Sequence, residues 1–233
     1  MMIGIIGAMD EEIKLLKEKI EVKEEVIKAT IKFYVGTFQG KEVVVCKSGV
    51  GKVNAAITTQ LLVDHFSVSK IIFTGVAGAV DPKLNIGDIV ISTSAMQHDL
   101  DASALGFKKG EVPMFDYPSD FPADEQLIRL AEEGAQALTG VNVVQGRILS
   151  GDQFIADHKK VEELGQLFAG KCVEMEGASV AHVAMLNNIP FVVIRSMSDK
   201  ANGEANVNFT EFTKLASERS FSIVHSMVER ISQ

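Results

Sequence analysis

Four carboxylates stand where a carboxylate can do chemistry: Glu12, Glu174, Glu176 and Asp199. Glu174-Met175-Glu176 closes a short apolar run, and the small residues Gly177-Ala178 then open a helix. Acid at the carboxyl end of a buried strand is costly unless it holds something. In open α/β sheets that edge is where ligands bind. A carboxylate there, with free acceptor oxygens, suits the two adjacent hydroxyls of a ribose. Asp199 closes another apolar run, within Arg195-Ser196-Met197-Ser198-Asp199-Lys200. Alone it would read as a turn cap; two strand ends that both finish in acid point to a shared site. Glu12 lies in the first strand-to-helix turn, Gly7-Ala8-Met9-Asp10-Glu11-Glu12, near the same edge, where a carboxylate activates a water. Asp10 reads instead as the helix N-cap, and Glu11 as an acid favoured by the helix dipole.

Other segments carry weaker chemistry. Thr74-Gly75-Val76-Ala77-Gly78-Ala79 ends a strand in very small residues, which permit a tight turn and equally leave room for a flat ligand. In Ser150-Gly151-Asp152-Gln153-Phe154-Ile155, Phe154 serves either as core or as a surface on which a base stacks. Ser48-Gly49-Val50-Gly51-Lys52 fails as a phosphate loop, with Cys46 where a glycine is needed and Val53 where a hydroxyl is needed. Gly4 and Gly7 do not make a dinucleotide fingerprint. The five histidines show no close pair at metal-ligand spacing. No GxSxG elbow announces a serine hydrolase. Neither a metal nor a cofactor is expected.

The elements that must position these residues alternate strand and helix. Strands are expected over 2–7, 31–36, 41–47, 71–74, 89–92, 141–149, 171–175 and 191–195. Helices are expected over 10–20, 51–65, 123–138, 158–168, 177–187 and 209–231. Gln39-Gly40 reads as a hairpin turn. Continuous apolar strands separated by helices predict an α/β fold with a mixed, largely parallel central sheet flanked by helices. The stretch from 96 to 121 is too long for a simple connector and is expected to be functional or to contact a partner. With no repeat, low-complexity segment or linker, residues 1–233 are expected to form one domain.

Composition narrows the partners. The chain has 233 residues, 46% hydrophobic, enough for a sizeable core. A formal charge of −8, with no run of Lys and Arg, argues against nucleic acid and for a small molecule. The apolar start lacks a cationic leader and reads as a buried strand rather than an export signal. No apolar stretch has the length to cross a bilayer. Cys46 and Cys172 both fall in apolar runs, which predicts buried, reduced thiols and a cytoplasmic protein.

Six segments in order, GIIGAMDEE (4–12), KSGVGKVNAA (47–56), TGVAGA (74–79), SGDQFI (150–155), VEMEGA (173–178) and RSMSDKANGE (195–204), resemble the bacterial methylthioadenosine/S-adenosylhomocysteine nucleosidases of the nucleoside phosphorylase superfamily. The likeness spans nearly the whole chain. It implies the three-layer fold of that superfamily, a homodimer, and hydrolysis of the N-glycosidic bond of 5′-thio-substituted adenosines to adenine and a thioribose. By the resemblance, Glu12 is the acid/base beside the attacking water and Asp199 assists the leaving adenine. Glu176 binds the ribose hydroxyls, Met175 packs the sugar, Phe154 stacks on adenine and the Ile155 backbone reads its edge. Met9, Val50 and Phe209 line the thioalkyl region, and Arg195 and Glu174 support the water and sugar site. Val76, Ala77, Gly78 and Ser198 complete the binding set.

A phosphorylase of the same fold is the nearest alternative. Phosphate needs positive side chains or free helix N-termini, yet of five arginines only Arg195 lies at a strand edge, and the first turn carries three acids. A non-catalytic nucleoside sensor is the second alternative, opposed by the presence of both Glu12 and Asp199. The chain also departs from the family pattern. Val76 stands where Ser is common, Gly177 where Ala is commoner, and Leu105 where an aromatic is frequent. Its versions of these motifs resemble a branch that accepts aminodeoxyfutalosine.

Overall fold

The computed structural model describes the backbone of residues 1–199 and 205–232, and the side chains of 1–199 and 212–232. In chain order the elements are β1 (Met2–Gly7), α1 (Asp10–Lys19), β2 (Glu21–Lys28), β3 (Ile31–Phe38), β4 (Lys41–Lys47), α2 (Lys52–Phe66), β5 (Lys70–Ala79), β6 (Ile89–Gln97), β7 (Asp120–Pro122), α3 (Glu125–Ala135), β8 (Val143–Ser150), α4 (His158–Phe168), β9 (Cys172–Glu174), α5 (Gly177–Leu186), β10 (Phe191–Asp199) and α6 (Ala205–Arg230).

The sheet is mixed, as the sequence predicts. β4, β1, β5 and β10 run parallel side by side, and so do β6, β8 and β9. Antiparallel pairings of β10 with β6 and of β5 with β9 join the two groups, so β5, β10, β6, β8 and β9 close into a ring. Closure pairs strand edges that would otherwise lie open. It also brings the carboxyl ends of β5, β9 and β10 around one space. β3 and β2 extend an antiparallel wing from β4.

Period-two alternation sorts each central strand onto two cores. Ile71, Phe73 and Val193 face one way, against Ala55 and Leu62 of α2 and Ala178, Ala181 and Ala184 of α5. Ile72, Val192 and Ile194 face the other, against Ile13 and Leu16 of α1, Leu127 and Ala131 of α3, and Ile223, Val224 and Met227 of α6. The small residues of α5 let that helix lie close to the sheet, so its first turn can approach the strand ends. A third cluster, with Leu149, Ile155, Val161, Leu164 and Phe168, braces the loop after β8 against α4.

Local chemistry corrects several expectations. Met9, not Asp10, is the N-cap of α1, and the Glu12 side chain accepts its backbone N–H at 3.0 Å. Asp10 is the first helical residue and pairs with Lys47 at 2.7 Å. The Gln39-Gly40 turn forms as expected, both residues having positive φ (52° and 70°). β2 was not anticipated: its residues are almost all exposed, so no buried alternation marks it. The long segment holds a 3₁₀ turn at Ser103–Leu105 and the short β7, and it exposes Leu105, Met114 and Tyr117. Cys46 and Cys172 are free and fully buried, and burial pushes both thiols up. Among the described residues no helix is long and apolar enough to cross a membrane.

Candidate active site

A cavity of about 230 Å³ opens at the carboxyl ends of the strands. Ala8, Met9 and Glu12 come from the turn after β1, Val50 from the loop before α2, and Val76, Ala77 and Gly78 from β5. Gln153, Phe154 and Ile155 follow β8; Val173, Glu174, Met175 and Glu176 come from β9 and the turn after it; Ser198 and Asp199 end β10. The wall is mostly apolar with a few convergent carboxyl groups, the composition of a small-molecule site.

Glu12 is almost fully buried. Its Oε2 accepts N–H bonds from Ala8 (2.6 Å) and Met9 (3.0 Å), and its Oε1 accepts one from Val76 (2.9 Å). Burial is the largest influence on its pKa and raises it above the ordinary carboxylate value. The Arg195 charge and the three backbone donors pull the other way. The side chain reaches this position because residue 75 is glycine: a Cβ there would collide with both Glu12 Oε1 and Arg195 Nη1.

Asp199 reaches the cavity through an irregularity. The pairing of β10 with β5 shifts register between Met197 and Asp199. A bulge re-aims side chains, so Ser198 and Asp199 both line the cavity although adjacent strand residues ordinarily face opposite ways. The Ser198 hydroxyl donates to Asp199 Oδ1 at 2.8 Å.

Glu174 and Glu176 differ sharply. The Glu174 carboxylate is ion-paired with Arg195 Nη2 at 2.5 Å and also accepts from the Ser150 hydroxyl and the Gly177 and Glu176 backbone N–H groups. Glu176 accepts from the Gly51 N–H at 2.8 Å. Gly51 has φ of 98°, a conformation that favours glycine, and this turns the N–H at the start of α2 toward the carboxylate. Burial, then the neighbouring Glu174 charge, push the Glu176 carboxyl up to about 8.

Thus the structure gathers Met9, Glu12, Val50, Val76, Ala77, Gly78, Phe154, Ile155, Glu174, Met175, Glu176, Ser198 and Asp199 around one space. Arg195, expected with Glu174 to support the water and sugar site, lies behind the wall. It is 1% exposed and absent from the cavity wall, its guanidinium lying 3.9 Å from the Phe73 ring centre and tied to Glu174. From there it braces the Glu174 carboxylate of the wall. The Phe209 side chain lies outside the described residues, as do Lys200 to Glu204 of the last motif. Ala8, Gln153 and Val173 line the cavity without having been expected there. All three fall inside motifs already singled out, Ala8 between Gly7 and Met9 in the first of them. Among the described residues no cluster of His, Cys, Asp and Glu is arranged to hold a metal ion.

Comparison with known proteins agrees with this geometry. The Phosphorylase superfamily profile matches residues 2–229. The chain is 44% identical to the 5′-methylthioadenosine/S-adenosylhomocysteine nucleosidase of Anoxybacillus flavithermus, with 100% of each chain covered. The structure of the corresponding Neisseria meningitidis nucleosidase, in complex with methylthio-immucillin-A, superposes with a TM-score of 0.94 at 38% identity, covering 99% of both chains. A native structure of the futalosine hydrolase of Helicobacter pylori superposes with a TM-score of 0.93 at 37% identity, covering 99% of this chain and 98% of that one.

Proposed function

The chain belongs to the methylthioadenosine/S-adenosylhomocysteine nucleosidases of the phosphorylase superfamily, and from that premise we propose how its residues divide the hydrolysis of the N-glycosidic bond. The enzyme is an N-glycosyl hydrolase that releases adenine and a thioribose from 5′-methylthioadenosine and S-adenosylhomocysteine. The observation that carries the division of labour is the placement of Glu12, Glu176 and Asp199 on three different strand-end segments around one cavity.

Glycoside cleavage passes through an oxocarbenium-like transition state served by carboxyl groups in unequal roles. Glu12, with its pKa raised, takes a proton from the attacking water. Asp199 assists the departing adenine through a purine ring nitrogen. Glu176 accepts from the ribose hydroxyls and places negative charge beside the developing cation. Met175 packs the sugar, Phe154 stacks on the base, and the Ile155 backbone reads its edge. Met9 and Val50 flank the thioalkyl tail, with Phe209 assigned to the same region by family resemblance.

Phosphate finds little to hold it here. Arg195 is committed to Glu174, and Lys47 pairs with Asp10. The test is adenine release from 5′-methylthioadenosine in phosphate-free buffer. Release at full rate is expected; strict dependence on phosphate overturns the hydrolytic reading, and binding without release makes the protein a sensor. The likeness to a futalosine hydrolase favours a second substrate, aminodeoxyfutalosine, and absence of turnover on it removes that reading.

The whole chain acts as one cytoplasmic nucleosidase domain and pairs as a homodimer. Exposed apolar side chains on α2 (Val53 and Ile57) and in the long segment (Leu105, Met114 and Tyr117) supply a surface for the second copy. The segment around Leu105 then closes the neighbour's tail pocket. Sedimentation of the purified protein as a monomer overturns this.

A further inference from the structure

Ser150 is fully buried at the end of β8 and does not line the cavity. Its hydroxyl nevertheless joins two parts of the sugar-side wall, donating to Glu174 Oε1 and accepting from the Ala178 N–H at 2.7 Å in the first turn of α5. We propose that Ser150 is a positioning residue for sugar binding: its hydroxyl fixes the Glu174 carboxylate, and through it the Met175–Gly177 turn that carries Glu176.

An ionised carboxylate offers about four acceptor sites. Glu174 spends its own on Ser150, Arg195 and the N–H groups of Glu176 and Gly177. Little remains for a ligand, so Glu174 acts as the buried anchor of the turn. Glu176, with Gly51 N–H as its protein donor, keeps capacity for a diol. The backbone reinforces the anchor: Ser150 pairs in register with Glu174, and the Gly151 N–H donates to the Glu174 carbonyl at 3.2 Å. There is little slack, since a Cβ on Gly177 would stand 3.1 Å from Glu174 Oε1. Removing the Ser150 hydroxyl deprives Glu174 of a donor and the α5 terminus of an acceptor, both inside the protein, where such losses are felt in full.

The base side has anchors that do not involve the Ser150 hydroxyl. Asp152 accepts from the Lys52 N–H at 2.8 Å and donates its own N–H to Asp99 at 2.9 Å, while Ile155 belongs to the α4 cluster. Loss of the Ser150 hydroxyl should therefore disturb recognition of the sugar and spare that of adenine.

This inference rests on the hydrolytic reading above, so the experiment begins by verifying phosphate-free adenine release by the parent. Three probes are then titrated by calorimetry into the parent, Ser150→Ala and Ser150→Cys: adenine, a carbon-linked methylthioadenosine analogue with an intact ribose diol, and its 2′-deoxy counterpart. Ser150→Ala is expected to weaken the diol analogue about ten-fold, the scale of one buried hydrogen bond, and to leave adenine within about two-fold. Discrimination between diol and 2′-deoxy probes shrinks accordingly, and KM rises by a larger factor than kcat falls. Ser150→Cys keeps a hydrogen on a weaker donor and gives the same pattern with smaller size, which keeps the test open if Ser150→Ala does not fold. Equal losses for adenine and the diol analogue, or unchanged discrimination in the folded variants, overturn the proposal while leaving the parent's hydrolysis standing.

Discussion

Glu12 and Glu176 face the same cavity from opposite preparations. Glu12 is held by three backbone N–H groups, with the Arg195 charge nearby. Glu176 has the Gly51 N–H and sits beside the anchored charge of Glu174. Burial raises the pKa of both. For Glu12 the protein already supplies the partners that fix its geometry, so the base of the proposed mechanism is set before substrate arrives. For Glu176 acceptor capacity is left over, to be completed by the ribose in the proposed mechanism. On that proposal, residues of one type beside neighbouring strand ends take different roles according to how many donors the fold commits to them.

The hardest way to break this contrast is to remove the reacting groups. Glu12→Gln and Asp199→Asn are each expected to lower kcat on the order of 10²–10⁴-fold, the scale of general acid or base catalysis, with the fold retained. In Glu12→Gln one side-chain oxygen becomes an NH₂ group, which must face backbone donors on either side. The base is lost and its geometry disturbed together. Steady-state kinetics with circular dichroism on the same samples checks this, and near-parental kcat in either folded variant ends the assignment of that residue.

How far the site was legible in the sequence depended on what made each residue matter. The acids at strand ends announced themselves, because charge at the end of an apolar run is costly unless used. The ring closed by β5–β9 and β10–β6 was not legible: such pairings join segments about a hundred residues apart through short antiparallel stretches with no local signature. β2 was hidden for a different reason. Exposed and charged, it is specified by its pairing with β3 through Ala29-Thr30, both at positive φ and neither a usual residue for such a turn. Arg195 shows the limit most plainly, since no local pattern announces its burial or its pairing with Glu174. The Ser198–Asp199 bulge likewise has no sequence signal, yet it brings both side chains to the cavity.

A gentler test uses pH. In the unfolded chain a glutamate titrates near 4.5, whereas folded Glu176 titrates at about 8. Between those values the folded protein holds the extra proton. The stability this residue contributes is therefore fully present below the unfolded value and is lost as pH rises through the folded one. Thermal melts of the ligand-free enzyme from pH 5 to 9 (roughly the span of the two titrations) should show Tm falling as pH rises. Glu176→Gln should flatten that decline without abolishing it, because Glu12 is shifted in the same direction. Ribose hydroxyls donating to Glu176 favour its charged form, so binding of a diol analogue near neutral pH should release a proton. Calorimetry in two buffers of different ionisation enthalpy measures it. The same release from Glu176→Gln would show that the proton comes from elsewhere and that Glu176 is not the group completed by the ligand.

The smallest expected effect lies at Val76, where the family resemblance implies a serine. Val76 sits on the boundary between the two preparations: its N–H donates to Glu12 at 2.9 Å, while its side chain lines the cavity. Val76→Ser keeps the backbone donor and replaces two methyl groups by a hydroxyl beside the Glu12 carboxylate. A hydroxyl that donates to that carboxylate favours its charged form, so the acidic limb of kcat/KM should move to lower pH. Because Glu12 already has its backbone partners, kcat itself should change by less than about ten-fold, the scale of one hydrogen bond. The pH dependence of kcat/KM on 5′-methylthioadenosine, parent against Val76→Ser, reads both quantities. A loss of kcat as large as that of Glu12→Gln would mean that the three backbone donors do not set the base, and the distinction between a carboxylate prepared by the fold and one completed by the ligand would fall.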